Sequence, residues 1–415
     1  MPLGSAGAAV RAGQRVIATR GLRSLSRPRV PYRPSPPRQS SAFPELDAVR
    51  ALLPPAIGAW AEWRASSLDM GADRALIAAG FLDEDAYLRA YAKATGIAFE
   101  PLTDIPRFAC PVDDAHLLTA AAAGLLPLRI GDDLICVVAP RGIAAREIAQ
   151  RVARQPELRR RFRMTSTARL NAFTEKHAGD TLGAQAADAL RTNWPALSAA
   201  PSPSTPAWPW WPPLLSATVV AAIAAPNLAL ATIDFGFSLL FLAWMLLRLT
   251  GLWVRWPEPA LPGRIADAEL PVYTVIAALY REAGSVADLV ASIERLDWPV
   301  EKLDVKIVIE PDDAPTREAV ARLTLDPRFE ILLAPGIGPR TKPKALNAAL
   351  PFARGTFTVI YDAEDRPEPD QLRVALDAFL AQDHKLACVQ AALTIDNTAD
   401  SWLARGIMAQ TPQAA

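Results

Sequence analysis

Residues 272–282 read Val-Tyr-Thr-Val-Ile-Ala-Ala-Leu-Tyr-Arg-Glu. From 272 to 279 there is no charge, and then three polar residues follow. A short unbroken apolar run of this kind is the pattern of a strand buried on both faces, as in a parallel sheet. Moving outward, Ser285 caps an expected helix over 285–296, and a strand is expected over 305–309 before Pro311-Asp312-Asp313. A helix over 315–323, a strand over 329–333, a helix over 345–353 and a strand over 356–361 come next. A helix over 369–381 and a strand over 386–391 close the series. Strands and helices alternating at short spacing imply a doubly wound α/β sheet.

Upstream, residues 44–180 have the marks of a second, smaller α/β domain. Asp83 is placed to cap a helix that runs to about Thr95 and stops at Gly96. A helix starts near Asp113 or Asp114, and strands over 125–130 and 134–139 flank the turn Gly131-Asp132-Asp133. A helix over 143–154, a strand near 162–165 and a helix ending near His177 complete it.

Prolines mark the joints. Twenty of the 38 fall within 1–60, 195–213 and 257–271. Residues 1–43 hold eight arginines and no acid, which reads as a disordered basic arm. Residues 181–210 and 255–270 read as linkers. Between Leu214 and Leu247 the only charge is Asp234. As one helix that stretch is ~51 Å long at ~1.5 Å per residue, against a hydrocarbon slab of ~30 Å. The expectation is therefore a transmembrane hairpin within 211–254, with spans over about 211–230 and 235–252 and Asp234 in the turn. Tryptophans 194, 208, 210, 211, 244, 253 and 256 cluster in or beside it, as interfacial residues do. Arg191 before the segment and Arg248, Arg255 and Arg264 at or beyond its end put both ends in the cytoplasm by the positive-inside rule.

Composition excludes several classes. Lysine plus arginine and aspartate plus glutamate number 44 each, so the net charge is zero and a nucleic-acid binder is not expected. Cys110, Cys136 and Cys388 are too few for a disulfide framework, and His116, His177 and His384 are too scattered for a histidine metal site.

The chemistry gathers where strands end. In open α/β sheets ligands sit beyond the carboxyl ends of the strands. Tyr280 and Glu282 follow the first strand, Glu310, Asp312 and Asp313 the second, and Asp362, Glu364 and Asp365 the fourth. Lys342 and Lys344 lie in the loop before Asn347. Carboxylates alone repel one another, but with lysines opposite they suit a diphosphate held through Mg²⁺ or Mn²⁺, an ion that takes one or two carboxylates plus phosphate oxygens.

The ordered set resembles a family 2 glycosyltransferase with the GT-A fold, in the membrane-bound branch of cellulose and hyaluronan synthases. Leu279-Tyr280-Arg281-Glu282 stands at that family's Tyr-Asn-Glu element, and Asp312-Asp313 at its nucleobase- and ribose-contacting pair. Thr341-Lys342-Pro343-Lys344-Ala345-Leu346-Asn347-Ala348-Ala349-Leu350 matches the element near the diphosphate. Tyr361-Asp362-Ala363-Glu364-Asp365-Arg366-Pro367 with Pro369-Asp370 matches the Asp-x-Asp metal motif, with Glu364 in place of its second Asp. The resemblance implies Tyr280, Glu282, Asp312, Asp313, Lys342, Lys344 and Asn347 as nucleotide-sugar contacts. It implies Asp362, Glu364 and Asp365 as metal ligands. The family's general base is expected beyond Ala415, so the chain reads as the first part of a longer enzyme. The implied activity is inverting transfer of a sugar from a nucleotide-diphospho-sugar, expected to be a UDP-sugar, to a glycan, polysaccharide or lipid-linked acceptor. The implied setting is the cytoplasmic (inner) membrane of a bacterium. The alternative is a membrane-anchored regulatory or scaffold protein with a degenerate transferase domain.

Residues 44–180 resemble the N-terminal domain of type II secretion ATPases, through Ala79-Gly80-Phe81-Leu82, Thr95-Gly96-Ile97-Ala98-Phe99 and Leu125-Leu126-Pro127-Leu128 followed by Val137-Val138-Ala139-Pro140. Some such domains bind cyclic di-GMP through paired Arg-Leu-Gly…Gly-x-Leu motifs. One partial copy lies around Gly80 and Leu82, so the expected role is docking or packing, with cyclic di-GMP as the alternative ligand.

Overall fold

A computed structural model describes residues 42–199, 211–253, 264–381 and 386–391. The basic arm up to residue 41, the linker residues 200–210 and 254–263, and everything from 392 onward lie outside the described residues. The chain divides into two compact units, Met1–Thr192 with Leu261–Ala415, and Asn193–Ala260.

The first unit begins with α1 (Pro55–Leu68) and α2 (Ala72–Ala78), two helices the sequence reading does not contain. Then come α3 (Glu84–Thr95), β1 (Ala98–Phe99), α4 (Asp114–Ala122), β2 (Leu125–Ile130), β3 (Asp133–Val138), α5 (Ala144–Arg154), α6 (Leu158–Arg161) and β4 (Phe162–Met164). The helix ends follow local chemistry. The Asp83 side chain accepts from the Ala86 N–H at 3.0 Å, and Gly96 takes the left-handed conformation, φ 73°, that closes α3. The four strands form one sheet in the order β1-β4-β3-β2, with β2 and β3 antiparallel about the expected turn.

Helix α7 (Thr167–Asn193) departs from expectation. It does not stop near His177 but runs on through residues read as linker. The reason is packing: Leu170, Phe173, Ala178, Leu182 and Ala186, spaced for one helix face, are all buried.

The second half of the unit holds β5 (Tyr273–Leu279), α8 (Val286–Glu294), β6 (Leu303–Ile309), α9 (Ala314–Ala321), β7 (Phe329–Leu333), α10 (Lys342–Ala349), β8 (Phe357–Tyr361) and α11 (Gln371–Ala381). The sheet is fully parallel, in the order β7-β6-β5-β8. Helices cover both faces, as the alternating pattern predicts. Residues 386–391 were expected to form a strand and are described without one.

Side chains alternate across this sheet. Val275, Ala277 and Leu279 of β5 and Val305, Ile307 and Ile309 of β6 share one core with Leu289 and Ile293 of α8, Val320 of α9 and Leu372 and Leu376 of α11. Ile276 and Val308 point the other way. They join Ala345, Ala348 and Ala349 of α10 in a core that also takes in Leu126 and Leu128 of β2 and Leu170, Phe173, Leu182 and Ala186 of α7. The small N-terminal domain is thus the outer layer of the parallel sheet on that face. A second tie lies at Arg64, which donates to both carboxylate oxygens of Glu301 at 2.7 and 3.0 Å.

Among the described residues the other unit holds two α-helices, one over Trp211–Ala224 and one over Pro226–Trp253. The break falls at Ala225 and not at Asp234, which lies inside the second helix. Proline has no N–H to give and its ring clashes with the carbonyl four residues back, so Pro226 starts a new helix; Asp234 carries no such constraint. Among the described residues one helix, Pro226–Thr250, is long and apolar enough to cross a membrane. The first helix, at 14 residues, spans only ~21 Å.

Candidate functional site

The carboxyl ends of β5, β6 and β8 lie side by side, because β5 pairs with both of the others. Each chain segment turns sharply as it leaves its strand. At the end of β5, Arg281 adopts φ 61°, a conformation costly for a residue with a side chain, by about 1–3 kcal/mol. It is held there from β6. The Arg281 N–H donates to Asp313 Oδ2 at 2.5 Å, and the Glu282 N–H donates to Thr316 Oγ1 at 3.1 Å. Tyr280 is partly exposed, with the Arg281 guanidinium 5.0 Å from its ring centre.

Asp313 is buried and also caps α9, accepting from the Thr316 N–H at 3.2 Å. Burial works against its charge, yet the Arg281 N–H and the Thr316 hydroxyl and N–H outweigh that and hold its carboxyl below the usual range. Asp312, one residue earlier, is outward and pairs with Arg340 at 2.7 Å.

The segment 334–341, between β7 and α10, reaches across these strand ends. The first turn of α10, which follows it, presents two lysines to different places. Lys344 is buried, its ammonium 3.2 Å from the buried Glu310 carboxylate and donating to the Pro335 carbonyl at 2.8 Å. Lys342 is well exposed and ion-paired with Asp362, which follows β8 and is itself half exposed. The Asp362 N–H donates to Asp365 Oδ2 at 2.7 Å, and the Asp365 N–H returns to the Asp362 carbonyl at 3.1 Å. Burial lifts the Asp365 carboxyl above its ordinary range, against the pull of Lys342. Glu364 points outward between them.

The structure therefore gathers Tyr280, Glu282, Asp312, Asp313, Lys342, Asp362 and Asp365 along one sheet edge. Two sequence-predicted contacts stand elsewhere. Lys344 lies beneath the edge, and Asn347 turns its amide to the Ala186 carbonyl of α7, at 3.0 Å. Thr316 and Arg340 were not among the expected site residues, and Glu310, expected at the strand end, is turned inward to Lys344. Thr316 acts through a partner distant in sequence, which no local motif announces; Arg340 had a signal, as the basic residue just before the lysines.

Among the described residues no group of three His, Cys, Asp or Glu side chains is disposed to hold a metal ion. The pair Asp362 and Asp365 offers hard oxygen donors from one turn. That donor set fits a small dication that completes its shell with water and phosphate oxygens, and not one caged by protein alone.

Residues 270–413 match the family model described as glycosyltransferase like family 2, and this part of the chain is a glycosyltransferase family 2-like domain. No curated protein matches the chain. Among solved structures it is similar to mannosyltransferase PcManGT from Pyrobaculum calidifontis in complex with GDP-Man and Mn²⁺, at 29% identity and TM-score 0.28, over 40% of this chain and 44% of that one. It is also similar to S. aureus TarS 1–349 in complex with UDP-GlcNAc, at 22% identity and TM-score 0.23, over 26% and 30%. The chain thus spans less than half the length of the solved structures it matches.

Proposed function

We propose that the protein binds a nucleotide-diphospho-sugar, of the UDP-sugar class, and serves inverting transfer of its sugar to a glycan, polysaccharide or lipid-linked acceptor. The observation that carries this is the meeting of Lys342, from the start of α10, with Asp362, from the end of β8, on the same carboxyl edge of the sheet as Asp312 and Asp313. A cationic loop lying over strand-end carboxylates is a place for an anionic diphosphate bridged by a dication. Asp312 and Asp313 are placed for the nucleoside, and Lys342 for the phosphates. Asp362 and Asp365, with Glu364 beside them, would hold Mg²⁺ or Mn²⁺. Such an ion, when bound, neutralises the charge that builds on the departing diphosphate. The protein's own part is to fix the nucleoside, hold Lys342 against the leaving group and keep the strand-end turns rigid.

The site belongs, in this reading, at a membrane. The helices Trp211–Ala224 and Pro226–Trp253 act together as the anchor, a hairpin that enters and leaves on one side, and the arginines on either side of the apolar segment favour the cytoplasmic face of the inner membrane for the two α/β domains. Calorimetry with UDP and Mn²⁺ tests the donor reading. The wild-type chain is expected to bind UDP more tightly with Mn²⁺ than without. Asp362→Ala is expected to remove that gain, a loss of about tenfold or more. Unchanged Mn²⁺-dependent binding by Asp362→Ala would refute the assignment.

A further inference from the structure

The donor-site reading leaves α7 unexplained. That helix belongs to the N-terminal domain, yet its C-terminal half lies against the loop that leads into the lysines of α10. Gly183 is the point of closest approach. A Cβ there would stand 2.9 Å from the Pro335 Cβ and 3.2 Å from the Ile337 Cβ. Only a bare glycine lets the two backbones come this near. One turn on, Ala187 meets Gly338, where a Cβ would stand 3.0 Å from that of Ala187; Gly338 has φ 87°. Between them the Ala186 carbonyl accepts from the Asn347 amide of α10 at 3.0 Å. Residues 183, 186 and 187 lie on one face of a helix. That face therefore grips the 334–341 segment at two points and the helix after it at a third.

From there the contacts run into the site. The Pro335 carbonyl accepts from Lys344, whose ammonium is tied below to Glu310. Lys342 is the first residue of α10, directly after that loop and two residues before Lys344. Any shift of the loop at Pro335 or Gly338 moves Lys342 relative to Asp362.

We infer that α7 of the N-terminal domain is a positioning element for the donor site, with Gly183 and Ala187 setting the place of the loop that presents Lys342 to the diphosphate. This rests on the donor-site reading above. It assigns the N-terminal domain a direct part in donor affinity, and it names residues outside the family-matched segment as determinants of that affinity.

A merely structural contact would be felt equally by any ligand of the site. A contact acting through Lys342 is felt by the diphosphate and not by the nucleoside. The experiment compares UDP with UMP, in the presence of Mn²⁺, on the full 415-residue chain in detergent. Gly183→Leu is expected to weaken UDP by about tenfold to a hundredfold while UMP changes by no more than about twofold. Ala184→Leu, on the exposed side of the same turn, is expected to leave both unchanged. A cavity of about 440 Å³ beside the contact, bordered by Gly179, Leu182, Pro335 and Gly336, gives the displaced loop room to move without unfolding. Should Gly183→Leu nonetheless fail to fold, Gly183→Ala and Ala187→Val carry the same comparison with smaller losses. Equal weakening of UDP and UMP, or no weakening, overturns the inference while the donor reading stands. A wild-type chain that binds neither nucleotide overturns the donor reading and the inference together.

Discussion

The two faces of the parallel sheet are built from different materials. Toward α8, α9 and α11 the strands show only apolar side chains, such as Val305, Ile307 and Ile309 of β6. Toward the N-terminal domain the same strand shows Asp304, Lys306 and Val308. Asp304 is 2% exposed and Lys306 0%, so both charges are fully enclosed. Asp304 accepts from Thr274 Oγ1 at 2.9 Å and from the Arg354 guanidinium at 2.7 Å, and pairs with Lys306 at 3.0 Å. Lys306 reaches on to Glu330, which also takes the Asn171 amide of α7. Burial opposes the Asp304 charge, but Arg354 and Lys306 overcome it and bring its carboxyl down to about 2. One face is closed by shape alone. The other holds buried ions that pair with one another within the sheet domain, and the N-terminal domain adds the Asn171 amide to Glu330. An apolar face accepts any apolar layer, whereas a layer laid over buried ions must also supply the polar contact that Glu330 takes from Asn171, which favours one domain and one register of docking.

The largest expected effect tests that difference directly. Lys306→Ala leaves Glu330 without its cation and removes one of the two cations on Asp304. Removing one member of a buried pair costs about 3–5 kcal/mol, and that loss is expected here in urea unfolding. Amide exchange should rise along α7 as well as in β6, because Glu330 also anchors Asn171. Exchange that rises in β6 alone would show that the charged face does not secure the N-terminal domain.

Much of this fold was legible locally. The expected strand over 329–333 and helix ends at Asp83 and Gly96 agree with the structure because turn residues and caps act over three or four positions. Other features were out of reach because they depend on partners far along the chain. The uncharged run in 272–279 announces a strand buried on both faces, but not that residues 170–186 cover one of them. Lys306 falls within the expected strand over 305–309, but nothing near it in sequence announces Glu330 as its partner. The motif spacing brought Lys342 and Asp362 together on paper and in space. It could not tell Lys342 from Lys344, because the difference lies in Glu310 and the Pro335 carbonyl. Nor could it show that Asn347 turns toward Ala186. Asp234 was expected in a turn on charge alone, and the backbone chemistry of Pro226 decided the break instead.

A smaller effect sharpens the comparison through pH. Glu175 of α7 lies at the border of the charged face. Burial, and then the neighbouring Glu330 charge, raise its carboxyl to about 7, from an ordinary 4.5. Between those pH values the folded protein keeps a proton that the unfolded chain has released. Stability therefore falls as pH rises through that window, by about 2 kcal/mol once the partial exposure of Glu175 is allowed for. Glu175→Gln removes the penalty. It should be more stable than wild type by that amount at pH 8 and equal to it near pH 4. A stability difference that does not change with pH would mean that the carboxyl is not held neutral by its surroundings.

The smallest effect belongs to the apolar face, and it serves as the counter-case. Ile307→Val deletes one buried methyl group facing α8 and α9, with no polar partner to orphan. The expected loss is about 0.5–1.5 kcal/mol, the same at pH 5 and pH 8, with α7 exchange changed no more than the rest of the unit. The two substitutions sit on neighbouring residues of one strand, at equal depth. If Ile307→Val loosened α7 as selectively as Lys306→Ala, the difference between the faces would reduce to burial alone, and the buried ions would have no special part in choosing the N-terminal domain as the sheet's outer layer.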